Sequence, residues 1–247
     1  MISINSLNKT GQIIVHTSPD EKINDHRKIH IWFCDLDDMQ PESSSSVILS
    51  SNELARIERL RTPGQSRLAA RFVCVRKILG NIVDVEPQSL MFCDGINGKP
   101  RLVSPIGKNG KDLNFNISHS ENILALAVSF DCEIGIDIEV VKTNIDFFSI
   151  ATMHFDQKSF QLLGAIPPAK VAHLFYRLWT RKEALTKMYG TGITAEPSDE
   201  FLSEFQSLYS FEFSFGGKEI IGALAYKKTC PSLESSERSL VESWQET

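Results

Sequence analysis

Phe130-Asp-Cys-Glu-Ile-Gly-Ile-Asp-Ile-Glu139 alternates strictly from Ile134 onward. Ile134, Ile136 and Ile138 therefore share one face of a β-strand, and Asp137 and Glu139 share the other, with Cβ atoms about 6.5 Å apart. Two acids on one strand face are costly unless water, a cation or hydrogen-bond donors compensate them, so the strand is a candidate metal site. A half-exposed edge strand with solvated acids would carry the same residues, and this stretch alone leaves both readings open. About forty residues later, Leu178-Trp-Thr-Arg-Lys-Glu-Ala-Leu-Thr-Lys187 adds a third carboxylate on a helix. Glu183 and Lys187 are four apart, neighbours on one helix face in the favourable order of acid before base. Taken alone, that pair reads as a surface ion pair worth under about 1 kcal/mol.

The chain has 247 residues, 42% hydrophobic and 23% charged, which fits one large or two small soluble domains. A formal charge of −5 argues against a nucleic-acid binder. No run approaches the roughly 18 apolar residues of a membrane span. Met1 to Lys28 is polar and lacks a secretory pattern, so a cytoplasmic location is expected. The five cysteines, Cys34, Cys74, Cys93, Cys132 and Cys230, form no Cys-x-x-Cys pair and read as reduced thiols rather than zinc ligands. From Arg56 to Lys77 seven basic residues face one acid, a local charge of +6. Forked guanidinium groups there suit phosphate, although a solvated helix face has the same composition.

Residues 1–28 read as an N-terminal extension before a strand at Ile29 to Cys34. A helix is expected from Ser51, capped by Ser51 or Asn52 and broken at Thr62-Pro63-Gly64. A second helix, Gln65 to Leu79, would end at Gly80. Strands follow at Leu90–Cys93, Lys99–Val103, Phe115–Ser118, Ile123–Phe130 and Glu133–Val140, largely as antiparallel hairpins. Helical spacing returns from Pro168 to Tyr189, and a hairpin around Gly216-Gly217 closes the fold. The serine-rich segment 229–247 reads as a flexible tail. This order points to two α+β halves, 29–130 and 131–228, with a junction near Asp131.

Trp179-Thr-Arg-Lys-Glu-Ala-Leu-Thr-Lys187, preceded by Gly135-Ile-Asp-Ile-Glu139, resembles the signature of the Sfp-type (surfactin-synthetase-type) 4′-phosphopantetheinyl transferases. Asn97-Gly-Lys-Pro100 and Asn114-Phe-Asn-Ile-Ser-His-Ser120 match the same family, as do, more loosely, Leu49 to Arg56 and the Arg67–Arg76 helix. The resemblance spans roughly residues 29 to 227. It implies an α+β fold of two similar lobes related by a pseudo-twofold, each an antiparallel sheet packed on a helix, with the active site in the cleft between them. It also implies a holo-[acyl-carrier-protein] synthase activity. The phosphopantetheine arm of coenzyme A would pass to a serine of an apo acyl or peptidyl carrier protein, releasing adenosine 3′,5′-bisphosphate, with Mg2+ as cofactor.

By the same resemblance Asp137, Glu139 and Glu183 would hold the metal, a set that suits magnesium, which takes a few carboxylates with substrate phosphates and water. Asp137, Glu183 and Lys187 would be catalytic, Glu183 as ligand, base or both and Lys187 also on phosphate. Arg56, Arg67, Gly98, Lys99, Pro100, Ser118 and His119 would form the nucleotide site. Phe115, Ile117 and Trp179 are assigned to core or pocket wall, and Arg71 and Arg76 to a solvated helix face. A monomer is expected, with carrier proteins and coenzyme A as partners and neither nucleic acid nor membrane. Two rival readings are a noncatalytic coenzyme A or carrier-binding module and a magnesium-dependent nucleotide pyrophosphate hydrolase.

Overall fold

The computed structural model describes residues 13–39, 45–62, 64–95, 98–104, 113–130, 132–190 and 206–227. Asn97, Asp131, Cys230 and the expected tail from Thr229 lie outside them. The chain runs β1 (Ile13–His16), β2 (Ile29–Asp35), α1 (Ser45–Ile48), α2 (Ser51–Glu58), α3 (Gly64–Val83), β3 (Met91–Asp94), β4 (Pro100–Ser104), β5 (Asn114–Ser120) and β6 (Ile123–Ser129). It continues through β7 (Ile134–Val140), α4 (Phe147–His154), α5 (Gln157–Gly164), α6 (Pro168–Tyr189), β8 (Gln206–Phe215) and β9 (Lys218–Lys227).

The strands form sheets of order β1-β2-β6-β5, β7-β9-β8 and β3-β4. The α+β class with antiparallel hairpins holds, but the four-stranded sheet is mixed, because β1 pairs parallel to β2, Ile13 opposite Ile29. This corrects the expectation that 1–28 is only an extension: Ile13 is 2% exposed and packs in the core. Two polar flanks hid a strand of four residues whose pairing partners lie sixteen residues downstream.

Alternation decides the layers. Ile31 and Phe33 of β2, Ile123, Ala125 and Ala127 of β6, Ile134, Ile136 and Ile138 of β7, and Phe211 and Leu224 of the closing hairpin meet in one buried cluster between the two larger sheets. On the other side of the first sheet, Trp32, Leu124, Leu126 and Phe115 pack against Cys74, Ile78 and Leu79 of α3. The far face of the second sheet sends Ile221, Ala223 and Ala225 to the aromatic side of α6 and its last turns. Each large sheet thus carries one long helix on the face turned away from the shared core.

Local chemistry shifts several expected boundaries. The cap of α2 is Ser50 rather than Ser51 or Asn52: its hydroxyl accepts from the Glu53 amide at 3.4 Å while the Glu53 carboxylate accepts from the Ser50 amide at 2.7 Å. Helix α3 runs past Gly80 to Val83. The left-handed residue that ends it is Asp84 (φ 59°), and the Val85 amide donates back to the Gly80 carbonyl at 3.0 Å. Gly80 is small because a Cβ there would stand 2.7 Å from the Val85 oxygen. Helices α4 and α5 were not expected; each starts at an aspartate whose side chain accepts from a serine amide three residues on, Asp146 with Ser149 and Asp156 with Ser159. Gly216 (φ 56°) and Gly217 (φ 72°) make the tight β8–β9 turn, as expected. Cys34 and Cys74 are free and buried, Cys93 is free and exposed, and Cys132 is buried.

Arg76 does not solvate its helix. It is 3% exposed and donates to Glu53 at 3.0 Å and to the carbonyls of Pro87 (2.8 Å) and Leu90 (3.0 Å), tying α2 and the chain after α3 to that helix. Arg76→Met should destabilise the protein by about 3 kcal/mol, since it strands a largely buried carboxylate and two carbonyls. Urea unfolding checks this; a loss well under about 1 kcal/mol would show that the network contributes little.

Candidate active site

Strand β7 and helix α6 touch backbone to backbone. A Cβ on Gly135 would stand 2.1 Å from the Ala184 carbonyl oxygen and 2.4 Å from the Met188 nitrogen, so only glycine admits the helix at this distance. Two residues on, Asp137 points to the same side and meets Lys187 of α6. The Lys187 ammonium donates to Asp137 Oδ1 at 2.6 Å and to Ser118 Oγ at 3.1 Å. Helix α6 begins at Pro168 and stops at Gly190, left-handed with φ 67°, which leaves Glu183 and Lys187 in its last two turns.

Asp137 is 4% exposed. Its Oδ1 also accepts from the Ser118 hydroxyl at 2.8 Å, while its Oδ2 is buried without a partner among the described residues. Burial pushes the Asp137 carboxyl up, against the opposing pull of Lys187 and Ser118. Burial likewise raises Glu183, and the Asp137 charge raises it further. Glu139 is raised by burial, opposed by the Ser120 hydroxyl, which donates to its Oε2 at 2.7 Å. The acids are therefore short of positive partners. Even so, among the described residues no three Asp, Glu, His or Cys side chains are gathered closely enough to hold a metal by themselves. Asp137, Glu139 and Glu183 line one region without closing into a three-ligand cage.

The expected nucleotide residues separate into groups. Ser118 belongs with the acids. Its neighbour His119 points to the opposite face of β5, where Arg71 of α3 approaches its ring at 3.0 Å. Loss of hydration, then the Arg71 and Lys187 charges, lower the His119 imidazole to about 4, so the ring is neutral at pH 7 and leaves Arg71 its charge. The Arg56 and Arg71 guanidiniums both lie over the Phe72 ring, 5.4 and 5.7 Å from its centre. Arg67 is not in this group; it is an exposed arginine paired fork-to-fork with Asp37 at 2.8 and 2.9 Å.

Lys99 is also engaged elsewhere. It follows Gly98 (φ 79°), leads into β4 at Pro100, and donates to the carbonyls of Ile134 (3.0 Å) and Met188 (3.3 Å) and to Glu133 at 3.3 Å. Burial lowers its ammonium, opposed by Glu133. It ties the β3–β4 hairpin to the start of β7 and the end of α6. Arg71 is the functional candidate that sequence reasoning missed: it lies one helical turn from Arg67, and spacing alone does not say which turn faces His119. Phe115 and Trp179 are core or wall residues as expected, Phe115 under α3 and Trp179 stacked on Phe175.

Carboxylates crowded around Lys187 thus stand on one face of β5, and the Arg71–His119 pair stands on the other. The family model of the 4′-phosphopantetheinyl transferase superfamily matches residues 133–242. The chain is 38% identical over 170 residues to the 4′-phosphopantetheinyl transferase HetI of Nostoc sp. (strain PCC 7120), covering 67% of this chain and 70% of that protein. It is 33% identical over 184 residues to a putative 4′-phosphopantetheinyl transferase of Synechocystis sp., covering 72% and 73%. Similarity to the 4′-phosphopantetheinyl transferase AcpT of Escherichia coli K12 is 31% over 120 residues, covering 49% and 57%. The chain belongs to the 4′-phosphopantetheinyl transferase superfamily and is a transferase of that class.

Proposed function

We propose that this transferase moves the phosphopantetheine arm of coenzyme A onto a serine of an apo acyl or peptidyl carrier protein, releasing adenosine 3′,5′-bisphosphate, with Mg2+ as cofactor. The observation that carries the metal is the buried Oδ2 of Asp137, without a partner among the described residues, beside a second carboxylate, Glu183. A cation there would relieve what burial costs both acids. Magnesium is suited to a site with one or two protein carboxylates, because substrate phosphate oxygens and water complete its shell. Asp137 and Glu183 would hold it, with Glu139 as the third donor that the resemblance implies. When bound, it would neutralise charge on the pyrophosphate.

The chain's own residues supply the rest. The carrier serine oxygen forms a bond to the phosphorus bearing the pantetheine arm, the bridging oxygen departs with the adenosine bisphosphate, and the serine proton goes to Glu183. The oxygen of Glu183 not engaged by the cation would accept that proton, within hydrogen-bond reach of the serine. Lys187, fixed at one end by Asp137 and Ser118, offers its remaining donor to phosphate. Arg71, with Arg56 also over the Phe72 ring, would receive the 3′-phosphate, and His119 would orient Arg71. The reading places coenzyme A in a cleft between two lobes, nucleotide toward α3 and pyrophosphate toward α6, in a cytoplasmic monomer. Among the described residues no helix is long and apolar enough to cross a membrane.

Intact mass spectrometry of a panel of apo carriers, after incubation with enzyme, coenzyme A and Mg2+, tests the proposal. The expected result is a carrier heavier by one phosphopantetheine. Cleavage of coenzyme A with unmodified carriers would favour the hydrolase, and binding without turnover the noncatalytic module. In the same assay Arg71→Ala should raise the KM for coenzyme A by about 10-fold or more, the value of a hydrogen bond to a charged group. It should change the KM for 3′-dephospho-coenzyme A little; equal changes for both would remove Arg71 from the 3′-phosphate.

A further inference from the structure

Strands β5 and β7 lie side by side, yet no main-chain ladder joins them: each is an edge of its own sheet. Side chains make the join instead. The Ile136 amide donates to Asn116 Oδ1 at 2.9 Å, the Ile138 amide to Ser118 Oγ at 3.2 Å and the Val140 amide to Ser120 Oγ at 3.0 Å. The offset is 20 residues at all three rungs. Alternate side chains on one strand face repeat every two residues, as do the outward amides of an edge strand, so the two series stay in step.

The choice of residue at each rung follows the neighbour across the seam. Before Ile136 stands Gly135, which offers no acceptor, and there the rung is an amide oxygen. Before Ile138 and Val140 stand Asp137 and Glu139, and there the rung is a hydroxyl. A hydroxyl accepts from the amide and donates its own proton, here to Asp137 Oδ1 at 2.8 Å and to Glu139 Oε2 at 2.7 Å. Ser118 and Ser120 therefore satisfy the buried strand edge and aim the acid beside it with the same atom. A slip of one rung would move β7 by about 6.6 Å and carry Asp137 away from Lys187.

We propose that Asn116 and Ser120 are positioning residues of the transferase: with Ser118 they lock β7 against β5 and so set where Asp137 and Glu139 stand relative to α6. The catalytic part of this rests on the transferase reading above; the ladder itself does not. Ser120→Ala should keep its fold by circular dichroism, lower kcat about 10-fold or more, and leave the KM for coenzyme A within about 3-fold. Ser120→Thr, which keeps the hydroxyl, should return most of kcat. Amide hydrogen exchange gives a readout independent of catalysis: in Ser120→Ala the Val140 amide should exchange at least about 10-fold faster, and in Asn116→Ala the Ile136 amide, with β9-paired amides unchanged.

An unchanged kcat in folded Ser120→Ala, an equally low Ser120→Thr, or unchanged Val140 and Ile136 exchange would each overturn the proposal. Should Ser120→Ala fail to fold, Ser120→Cys against Ser120→Thr makes the same comparison, and equal rates from the two overturn it. Accelerated exchange in a protein that modifies no carrier would instead uphold the ladder and sink the transferase reading.

Discussion

Replacing Gly135 by alanine should cost this protein at least about 3 kcal/mol and lower its Tm by about 6–12 °C, the largest stability loss expected from adding one methyl group. The added carbon would fall 2.1 Å from the Ala184 oxygen and 2.4 Å from the Met188 nitrogen. Both are backbone atoms inside a helix, so no rotamer change relieves the clash; α6 must move off β7 or unwind its last turns. Either response separates Glu183 and Lys187 from Asp137, so transfer should fall along with stability. Differential scanning calorimetry of Gly135→Ala against wild type checks the first part. A Tm within about 2 °C of wild type would show that the strand–helix contact yields more easily than its geometry says. Gly80→Ala is the comparison: it meets a carbonyl at 2.7 Å, but in the chain beyond the helix rather than within it, and should cost less.

Gly135 also shows how much of this fold could be read from residues alone. The alternation of Ile134, Ile136 and Ile138 gave the strand, its apolar face and the side on which the acids lie, because side chains alternate along a strand; that both faces are buried appears only in the fold. Helix α6 was legible end to end, since Pro168 and Gly190 are chemically unambiguous stops. What spacing could not supply was the partner of each charged group. Arg67 and Arg71 sit one turn apart on α3, and only the tertiary fold puts one on Asp37 and the other on His119. Lys99 sits in a turn-like string, yet burial and three acceptors make it a tie between segments. Strand β1 escaped for a different reason: four residues carry too little periodicity, and its partner is supplied by β2. Asn116, Ser118 and Ser120 did leave a signal, polar residues at every second place alternating with Phe115 and Ile117, whose meaning appears only once β7 lies beside the strand.

Asp137→Asn should lower transfer by about 100- to 1,000-fold while leaving the Tm within about 3 °C of wild type. The two halves of that expectation come from different atoms. Oδ1 already has Ser118 at 2.8 Å and Lys187 at 2.6 Å, and an amide oxygen keeps the serine as a donor. The Lys187 ammonium loses its counter-charge but its side chain is 28% exposed, so water can take up part of the interaction. Removing the charge also removes the penalty that burial imposes on it, which offsets what the ion pair contributed. Oδ2 is the atom that changes character: a buried oxygen without a partner among the described residues becomes an amide nitrogen, which repels a cation instead of holding one. The Mg2+ concentration giving half-maximal transfer should therefore rise at least about 10-fold in the variant, and Glu183→Gln should show the same displacement. Rates measured across a Mg2+ series, with thermal unfolding of each variant alongside, decide the matter. A folded Asp137→Asn with the wild-type rate and the wild-type Mg2+ requirement would move the metal away from β7 and leave the raised acids there without a cation to explain them.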